Sequence, residues 1–306
     1  MSSFTTVNYH YVRPIKGSKY PSIKGLELKK FIDQLDFLKK SYNIISSEDL
    51  VNFVLHGVKL PKKSCLLTFD DGYKDHYKYV MPALVKKKIS GCFFPSAENI
   101  IKNNVTETSK IHFIIEKQKN ADLIINDIYT FLRNNNSPIP DKKIFKNFDN
   151  LFIKRYDSKK IKYVKFLLQS WIPEPLKEYC CTFLFKKYLR VNEKEFSKQL
   201  YLSTKEIQEM INNGMTIGGH GYRHIRLGEL SYKNQSKEIN KMLTFLKKFN
   251  IKKNWIMCYP YGSFNNHTKS ILNKKNCVIA FSATPGKSLL RKKDIMSIKR
   301  YDTNDF

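Results

Sequence analysis

The chain is poor in cysteine, in acidic residues and in long apolar runs, and each shortage excludes a class of protein. Its six cysteines contain no Cys-x-x-Cys pair, and several lie in apolar, strand-like segments. This favours buried free thiols in a reducing compartment over a disulfide framework. No apolar run approaches the length of a membrane span, and the first residues show no secretory signal. We therefore expect a cytoplasmic protein.

The shortage of acidic residues leaves a large positive charge. The 55 Lys and Arg against 27 Asp and Glu give a formal net charge of +28, which attracts phosphates, nucleic acid and anionic lipids. Most of the basic residues are lysines spread singly and in pairs over helix-like segments, as a compositional bias would place them. Because no recognition motif is present, we expect no specific nucleic-acid partner. A phosphate-bearing substrate is favoured, and the charge leaves room for loose association with a membrane surface.

Strand-like and helix-like segments alternate along most of the chain, which predicts an α/β fold with parallel strands. Between about residues 101 and 200 the alternation gives way to mostly helical, Lys-rich sequence. We therefore predict one domain over residues 1–306 that contains a helical insertion over 101–200. Strands are predicted at 7–12, 44–45, 65–69, 91–96, 215–220, 255–259, 277–281 and 296–301, and helices at 27–40, 47–57, 75–88, 203–214, 231–248 and 269–275.

Two adjacent carboxylates, Asp70 and Asp71, follow the apolar run 65–67 in the sequence T-F-D-D-G. Ligand sites of α/β proteins lie at the carboxyl ends of strands. Two neighbouring acids there are costly without a cation, so a divalent metal held by one of them is one interpretation. The alternative is a simple turn, because Asp-Gly is also a strong hairpin signal.

Two imidazoles, His220 and His224, lie four residues apart after another predicted strand. Two histidines and one carboxylate are a common ligand set for Zn²⁺ or a similar cation. A solvated or hydrogen-bonded loop is the alternative for the histidines alone. Since both motifs follow strands at the same end, we expect a joint site. A third segment, Y-P-Y-G at 259–262, could aim the Tyr261 N–H into a cleft as an oxyanion donor, or form only a turn.

The three motifs in this order, T-F-D-D-G, H-x-x-x-H and Y-P-Y-G, resemble the polysaccharide deacetylase family (the NodB-homology domain, carbohydrate esterase family 4). The flanking Y-H-x-V, F-F-P and G-x-x-I-G-x-H agree with it, and the resemblance covers about residues 5–100 and 200–306. The ending R-x-D-T-N-D at 300–305 is similar to members found with bacterial surface-polysaccharide biosynthesis genes. The resemblance implies a distorted (β/α)7 barrel, with the helical insertion added to it.

The resemblance also implies an activity, the metal-dependent hydrolysis of N-acetyl, sometimes O-acetyl, groups on sugars. By motif position the metal ligands are Asp71, His220 and His224, and the general base is Asp70. Zn²⁺ is the favoured metal, with Co²⁺ or Mn²⁺ as alternatives.

Further expected contributions come from two other residues. The backbone N–H of Tyr261 would stabilise the oxyanion, and the charge of Arg300 would orient Asp70.

Two positions depart from the family pattern. Cys258 stands where an Arg usually begins the third motif, and no Leu-x-His follows His267 to supply the usual general acid. His10, at the end of the first predicted strand, is a candidate replacement acid; a structural histidine is the alternative.

Three functions therefore compete. The first is a metal-dependent deacylase acting on an N-acetylated or N-formylated sugar, for which a cytoplasmic location favours a nucleotide- or lipid-linked substrate. The second is a catalytically inactive, carbohydrate-binding relative. The third is a basic protein of nucleic acids or membrane surfaces. Metal content separates the first from the third, and release of acetate or formate separates the first from the second.

Overall fold

The computed structural model describes residues 3–147, 157–291 and 294–305. The chain divides into two compact units, of which the first contains Met1–Gly17, Gly25–Asn104 and Ser197–Phe306, and the second contains Ser18–Lys24 and Val105–Phe196. The assignment of all residues to one domain with an insertion over 101–200 stays a prediction.

The strands of the described residues all lie in the first unit. They are β1 (Ser3–Tyr9), β2 (Val12–Arg13), β3 (Leu26–Glu27), β4 (Asn43–Ile44), β5 (Ser64–Asp71), β6 (Cys92–Pro95), β7 (Thr216–Ile217), β8 (Trp255–Cys258), β9 (Cys277–Phe281), β10 (Ser288–Leu289) and β11 (Tyr301–Asp302). Most pairings are parallel, as the sequence pattern predicted; among these strands of the described residues only β10 pairs antiparallel, with β1.

The parallel pairings form a circuit. From β1 it passes through β5 and β6 to β7. A single-residue bridge, Gly219 to Met257, leads on to β8, and β8 pairs with β9. A second bridge, Phe281 to Ile298, leads to the segment that continues into β11, and β11 pairs with β1. This is the seven-membered arrangement of a distorted (β/α)7 barrel, held at two places by single bridges, and the predicted α/β fold class is confirmed.

Helices connect the strands and make up most of the second unit. The α-helices are α1 (Leu28–Ser41), α2 (Ser47–His56), α3 (Met81–Lys86), α4 (Ala97–Lys102), α5 (Glu107–Lys117), α6 (Ala121–Asn134), α7 (Lys142–Asn147), α8 (Lys159–Phe166), α9 (Leu176–Leu189), α10 (Glu193–Leu200), α11 (Thr204–Asn212), α12 (Tyr232–Lys247) and α13 (Asn266–Lys274). Within the described ranges, none of them has the length and apolar character required to cross a bilayer.

The core of the first unit follows the two-residue period of its strands. Leu66 and Phe94 belong to one apolar cluster, whereas their neighbours Leu67 and Phe93 belong to another. Successive strand residues point to opposite faces, so the two clusters lie on the two faces of the sheet. The smaller cluster draws residues from β1, β5, β6, β8 and β9 and therefore fills the barrel interior. Every residue of β5 is buried, as expected for a central parallel strand.

Side-chain chemistry sets the starts of the two helices predicted at 47–57 and 203–214. Ser46 and Ser203 each accept a hydrogen bond from the third backbone N–H of the following helix, and the side chains of Asp49 and Glu206 complete the two capping boxes. Gly57, in the left-handed conformation, ends α2 as predicted.

Several predicted elements were wrong in part; the first strand, for example, ends at Tyr9 rather than at residue 12. The helix over 75–88 begins as a π-helix, His76–Val80, and becomes α-helical only at α3. Pro82 explains this, because its ring would clash with the carbonyl four residues earlier in a regular helix, and the wider turn relieves the clash. The last strand was predicted over 296–301, but Ile295–Ser297 is a 3-10 turn and only the bridge at Ile298 and β11 pair with neighbours.

The second unit is helical, as the sequence pattern predicted. Phe196 makes edge contacts with the rings of Phe113 and Phe185, and α5 packs against α9. The buried ammonium of Lys110 binds the Glu193 carboxylate and the Thr182 hydroxyl, both at 2.9 Å. A short segment of the chain, Ser18–Lys24, joins this unit through the Ser22 N–H, which donates to Glu116.

Candidate active site

The three predicted metal ligands lie together at the carboxyl ends of β5 and β7. The Asp71 Oδ1 atom is 3.3 Å from Nε2 of His220 and 3.1 Å from Nε2 of His224. All three side chains are buried. Burial alone would raise the pKa of the Asp71 carboxyl, but the two imidazoles hold it well below its usual range. The fold therefore brings Asp71 and the two imidazoles together, as expected from motifs that follow strands at the same end.

The backbone at Asp71 explains how two consecutive acids reach one site. In a regular strand Asp70 and Asp71 would point to opposite faces. Asp71 instead has a φ of +72°, in the left-handed region that few residues other than glycine adopt. The following Gly72 also has a positive φ, +69°, and an added Cβ there would lie 2.7 Å from the Cβ of Pro95. The chain thus turns sharply at the strand end, and the Asp-Gly pair serves this turn rather than a hairpin.

The orientation of His220 is fixed by the main chain of β8. Its Nδ1 atom lies 2.9 Å from the carbonyl oxygen of Cys258. A carbonyl can only accept, so Nδ1 carries a proton, and Nε2 is the ring nitrogen that faces Asp71. A metal-ligating histidine commonly donates its other N–H in this way.

The donor set fits a divalent metal. One ligand atom each from Asp71, His220 and His224 lies within 4.8 Å of the others, and a second such group joins His220 to Asp70 and Cys258. In the second group the Asp70 carboxylate is already engaged by an arginine, described next, and burial raises the pKa of the Cys258 thiol, which keeps it protonated. The first group offers two imidazoles and a carboxylate, the donors that suit Zn²⁺, so Asp71, His220 and His224 are the better site.

Asp70 forms a two-point ion pair inside the barrel with Arg300. The Nη1 and Nη2 atoms of Arg300 donate to its two carboxylate oxygens at 2.9 and 2.7 Å. The guanidinium also donates to the Asn8 side chain, the Thr68 hydroxyl and the Ser282 carbonyl. Burial would raise the pKa of Asp70, but Arg300, with the nearby imidazoles, lowers it to about 2. Asp70 is therefore ionised and held in one orientation, the arrangement that the family resemblance implied for these two residues.

The departure at Cys258 has a structural counterpart. The Cys258 thiol points into the barrel interior, with Sγ 3.4 Å from the Asp70 carboxylate. The cation beside Asp70 comes from Arg300 instead, which lies 230 residues away in the chain. Asp70 therefore has a positively charged partner even though residue 258 is not an Arg.

His10 follows β1 and faces the same site. Its Nε2 lies 4.0 Å from the Asp70 carboxylate, and its side chain is 43% exposed. Its carbonyl accepts a 2.8 Å hydrogen bond from Nε2 of His76, in the π-helix. Burial lowers the pKa of His76 to about 4, so this ring is a neutral donor. The structure thus places an accessible imidazole beside Asp70, on a backbone that a buried histidine holds in place.

Tyr261 lies next to His224. Its φ of +57° places it in the left-handed region within the Pro260–Gly262 turn. Its ring centroid is 4.9 Å from that of His224. The turn is closed by hydrogen bonds from Gly262 to Tyr259 and from Ser263 to Pro260. The structure therefore brings all the predicted site residues to one end of the barrel, and their catalytic and ligand roles stay predictions.

Sequence reasoning missed two contributors, His76 and the Cys258 carbonyl. The only sequence signal for His76 is its place five residues after Asp71, within the helix that follows. A carbonyl gives no signal, because every residue has one.

Comparison with known proteins agrees with the motifs. The family model described as polysaccharide deacetylase matches residues 57–124 and 140–279, which is more than half of the chain. No curated protein matches.

Solved structures share the fold. The deacetylase PplD of Streptococcus pyogenes, in complex with acetate, is 16% identical with a TM-score of 0.58, over 98% of this chain and 92% of that one. IcaB from Ammonifex degensii is 16% identical with a TM-score of 0.58, over 99% and 92%. A de-N-acetylase from Aggregatibacter actinomycetemcomitans is 14% identical with a TM-score of 0.58, over 98% and 94%. Because the family model matches most of the chain's length, the chain belongs to the polysaccharide deacetylase family.

Proposed function

We propose that the protein is a metal-dependent hydrolase that removes an N-acyl group, acetyl or formyl, from a sugar. The observation that carries this proposal is the pair of adjacent carboxylates in different surroundings. Asp71 faces two imidazoles, whereas Asp70 is bound by Arg300. Such a division suits one acid to metal binding and the other to proton transfer. The family membership and the three deacetylase structures of the same fold support the reaction class.

The proposed chemistry assigns a task to each side chain. Asp71, His220 and His224 would hold a divalent cation, Zn²⁺ by preference with Co²⁺ or Mn²⁺ as alternatives, which lowers the pKa of a water molecule and polarises the acyl carbonyl. Asp70 accepts the proton of the attacking water, and Arg300 keeps it ionised and oriented.

Two further groups complete the reaction. His10 donates a proton to the departing amine, in place of the absent Leu-x-His. The backbone N–H of Tyr261, whose ring contacts His224, would stabilise the negative charge on the carbonyl oxygen.

The proposed substrate is a nucleotide- or lipid-linked sugar intermediate of surface-glycan synthesis. This rests on a proposed cytoplasmic location and on the net charge of +28, which attracts phosphate-bearing molecules. The charge also suits loose contact with an anionic membrane surface. Acetate or formate release from such a sugar, but not from a polymer, is the result that supports it.

A second candidate function is that of an inactive carbohydrate-binding relative. The observation in its favour is the sequence at the two departures, where Cys258 replaces an Arg and the C-terminal Leu-x-His is lacking. An inactive relative would release no acid from any acylated sugar, even when loaded with metal.

Metal analysis tests the proposed site directly. We expect about one divalent ion per wild-type chain, purified without a polyhistidine tag, and loss of that ion in His220→Ala, because the variant removes one of three ligands. His56→Ala, which changes an exposed histidine at the end of α2, is the control and keeps the ion. Wild type that binds no Zn²⁺, Co²⁺ or Mn²⁺ would contradict the proposal.

The role of His10 is tested by turnover. We expect His10→Ala to lower kcat about 10²-fold, the size of a lost general acid, while the metal content stays at the wild-type level because His10 is not a ligand. The assay measures acid release from an acylated nucleotide sugar by metal-loaded protein. Full turnover in His10→Ala would show that His10 is only structural.

A further inference from the structure

Arg226 follows the predicted metal ligand His224 by two residues and lies against the ring of Tyr261. Its guanidinium carbon is 4.5 Å from the centroid of the Tyr261 ring. The same ring contacts His224 at 4.9 Å, and His224 faces Asp71 at 3.1 Å. Carboxylate, imidazole, phenol ring and guanidinium are thus linked by successive contacts from the predicted metal site to Arg226. A sugar bound there would have its substituents within reach of this cation.

The hydrogen-bonding capacity of Arg226 is unused. Its nearest acid is Glu229, whose carboxylate oxygen is 3.8 Å from Nε, beyond hydrogen-bond distance. The Glu229 side chain is itself 69% exposed. Within the described ranges its guanidinium donates no hydrogen bond. By contrast, the side chains of Arg13 and Arg223 each donate to a buried carboxylate. With 36% of its side chain exposed, Arg226 presents free donors to solvent.

The loop that carries Arg226 is held in place at its base. The Gly228 N–H donates to the Ser263 hydroxyl, and the Asn265 amide donates to the Gly228 carbonyl. Gly228 also packs closely on the backbone of Phe264, where an added Cβ would lie at 3.0 to 3.1 Å. These contacts fix the loop to the segment that follows Tyr261. The cation is therefore pre-organised, which lowers the entropy cost of binding a ligand.

We propose that Arg226 binds an anionic substituent of the substrate, a phosphate or a carboxylate carried by the sugar. A guanidinium with free N–H groups matches the oxygens of such an anion in a two-point contact. The ring of Tyr261 contacts the guanidinium without using any of its N–H groups, which remain for the ligand. The positive charge of the whole chain would draw the same anions towards the site. This inference rests on the proposed function and names the substrate class that it would select.

Three matched sugars test this proposal. N-acetylglucosamine, N-acetylglucosamine 1-phosphate and an N-acetylated hexosaminuronic acid share the acyl group and differ in charge. Their binding to metal-loaded protein is measured by calorimetry, and acetate release is measured in parallel. Wild type is expected to bind at least one anionic sugar about 10-fold more tightly than the neutral one, and the two anionic arms distinguish phosphate from carboxylate. Arg226→Gln is expected to remove this preference, and Arg226→Lys to retain part of it.

Lys241→Gln is the matched control. Lys241 also lies over a tyrosine ring, that of Tyr222 at 4.9 Å, so its replacement removes the same charge and the same kind of contact elsewhere in the unit. The preference should survive in this variant. Wild type with no preference for either anionic sugar, or Arg226→Gln with an unchanged preference, would overturn the inference. Arg226-dependent binding without acetate release supports the inference and counts against the proposed activity, whereas equal acetate release from all three sugars counts against the inference alone.

Discussion

Replacing Asp70 with Asn is expected to lower kcat about 10³-fold while the metal content stays at one ion per chain. The loss corresponds to that of a positioned general base, which contributes about 10² to 10⁴. Asn has nearly the same shape, so the water would still be bound next to it but its proton would have no acceptor. The measurement is acid release by metal-loaded protein, with elemental analysis of the same sample.

A second buried carboxylate provides the control for this variant. Asp75 lies five residues on, is buried, and accepts a 2.6 Å hydrogen bond from Nε of Arg13. Asp75→Asn also removes a buried carboxylate that is paired with an arginine, so it controls for the structural effect of such a change. Turnover in Asp75→Asn should remain within about threefold of wild type. If both variants lost turnover equally, stability rather than proton transfer would explain the effect of Asp70→Asn.

Replacing Arg300 with Met is expected to lower the free energy of unfolding by about 3–5 kcal/mol at pH 7, the cost of leaving one charge of a buried pair without its partner. The carboxylate of Asp70 would then lose the two hydrogen bonds that hold it. Turnover should fall as well, since the base would no longer be oriented. Urea unfolding followed by tryptophan fluorescence measures the change. A Trp171→Phe background leaves Trp255, which is buried in β8, as the reporter of the first unit.

The loss in Arg300→Met should depend on pH in a definite direction. In the wild type the folded-state pKa of Asp70 is lowered from 3.8 to about 2. Its ionisation therefore stabilises the fold at pH above about 4, by roughly 2 kcal/mol, and this contribution is lost as the pH falls towards 2. In the variant Arg300 no longer offsets burial, so the pKa of Asp70 rises and its ionisation at pH 7 becomes costlier. The difference between the two proteins should thus shrink from pH 7 to pH 4, measured without metal in both.

Two further variants isolate the pair. Asp70→Asn combined with Arg300→Met removes both charges and should be more stable than Arg300→Met alone, because no buried charge is left unpaired. Arg291→Met breaks an exposed pair with Asp294 and should cost less than about 1 kcal/mol. A double variant as unstable as Arg300→Met would show that the guanidinium stabilises the barrel through its other contacts rather than through Asp70.

The meeting of Asp71 with His220 and His224 could be predicted from the sequence, because the carboxyl ends of parallel strands share one edge of a sheet. The capping serines at 46 and 203 were equally predictable, since they act on residues only three positions away. These features depend on side-chain type and on short or regular spacing. Both are visible without coordinates.

Other features of the site depend on contacts that side-chain identity does not encode. The His220 tautomer is set by a main-chain carbonyl, and the backbone of His10 is held by His76 through a widened helical turn. The pairing of Arg300 with Asp70 was available only through the family resemblance, because no local pattern connects residues so far apart. The final strand was predicted too long because Ile295–Ser297 forms a 3-10 turn, which no signal in the sequence distinguished from a strand.

The circuit that joins β11 to β1 has a consequence for synthesis on the ribosome. Asp70 needs the guanidinium of Arg300, which is translated 230 residues later. At about 5–20 residues per second, this interval lasts roughly 10 to 50 s. During this interval the Asp70 carboxylate lacks the guanidinium of Arg300, and β1 lacks β11 as its neighbour. The nascent chain should therefore keep this end of the barrel open and hydrated, and closure should be among the last steps of folding.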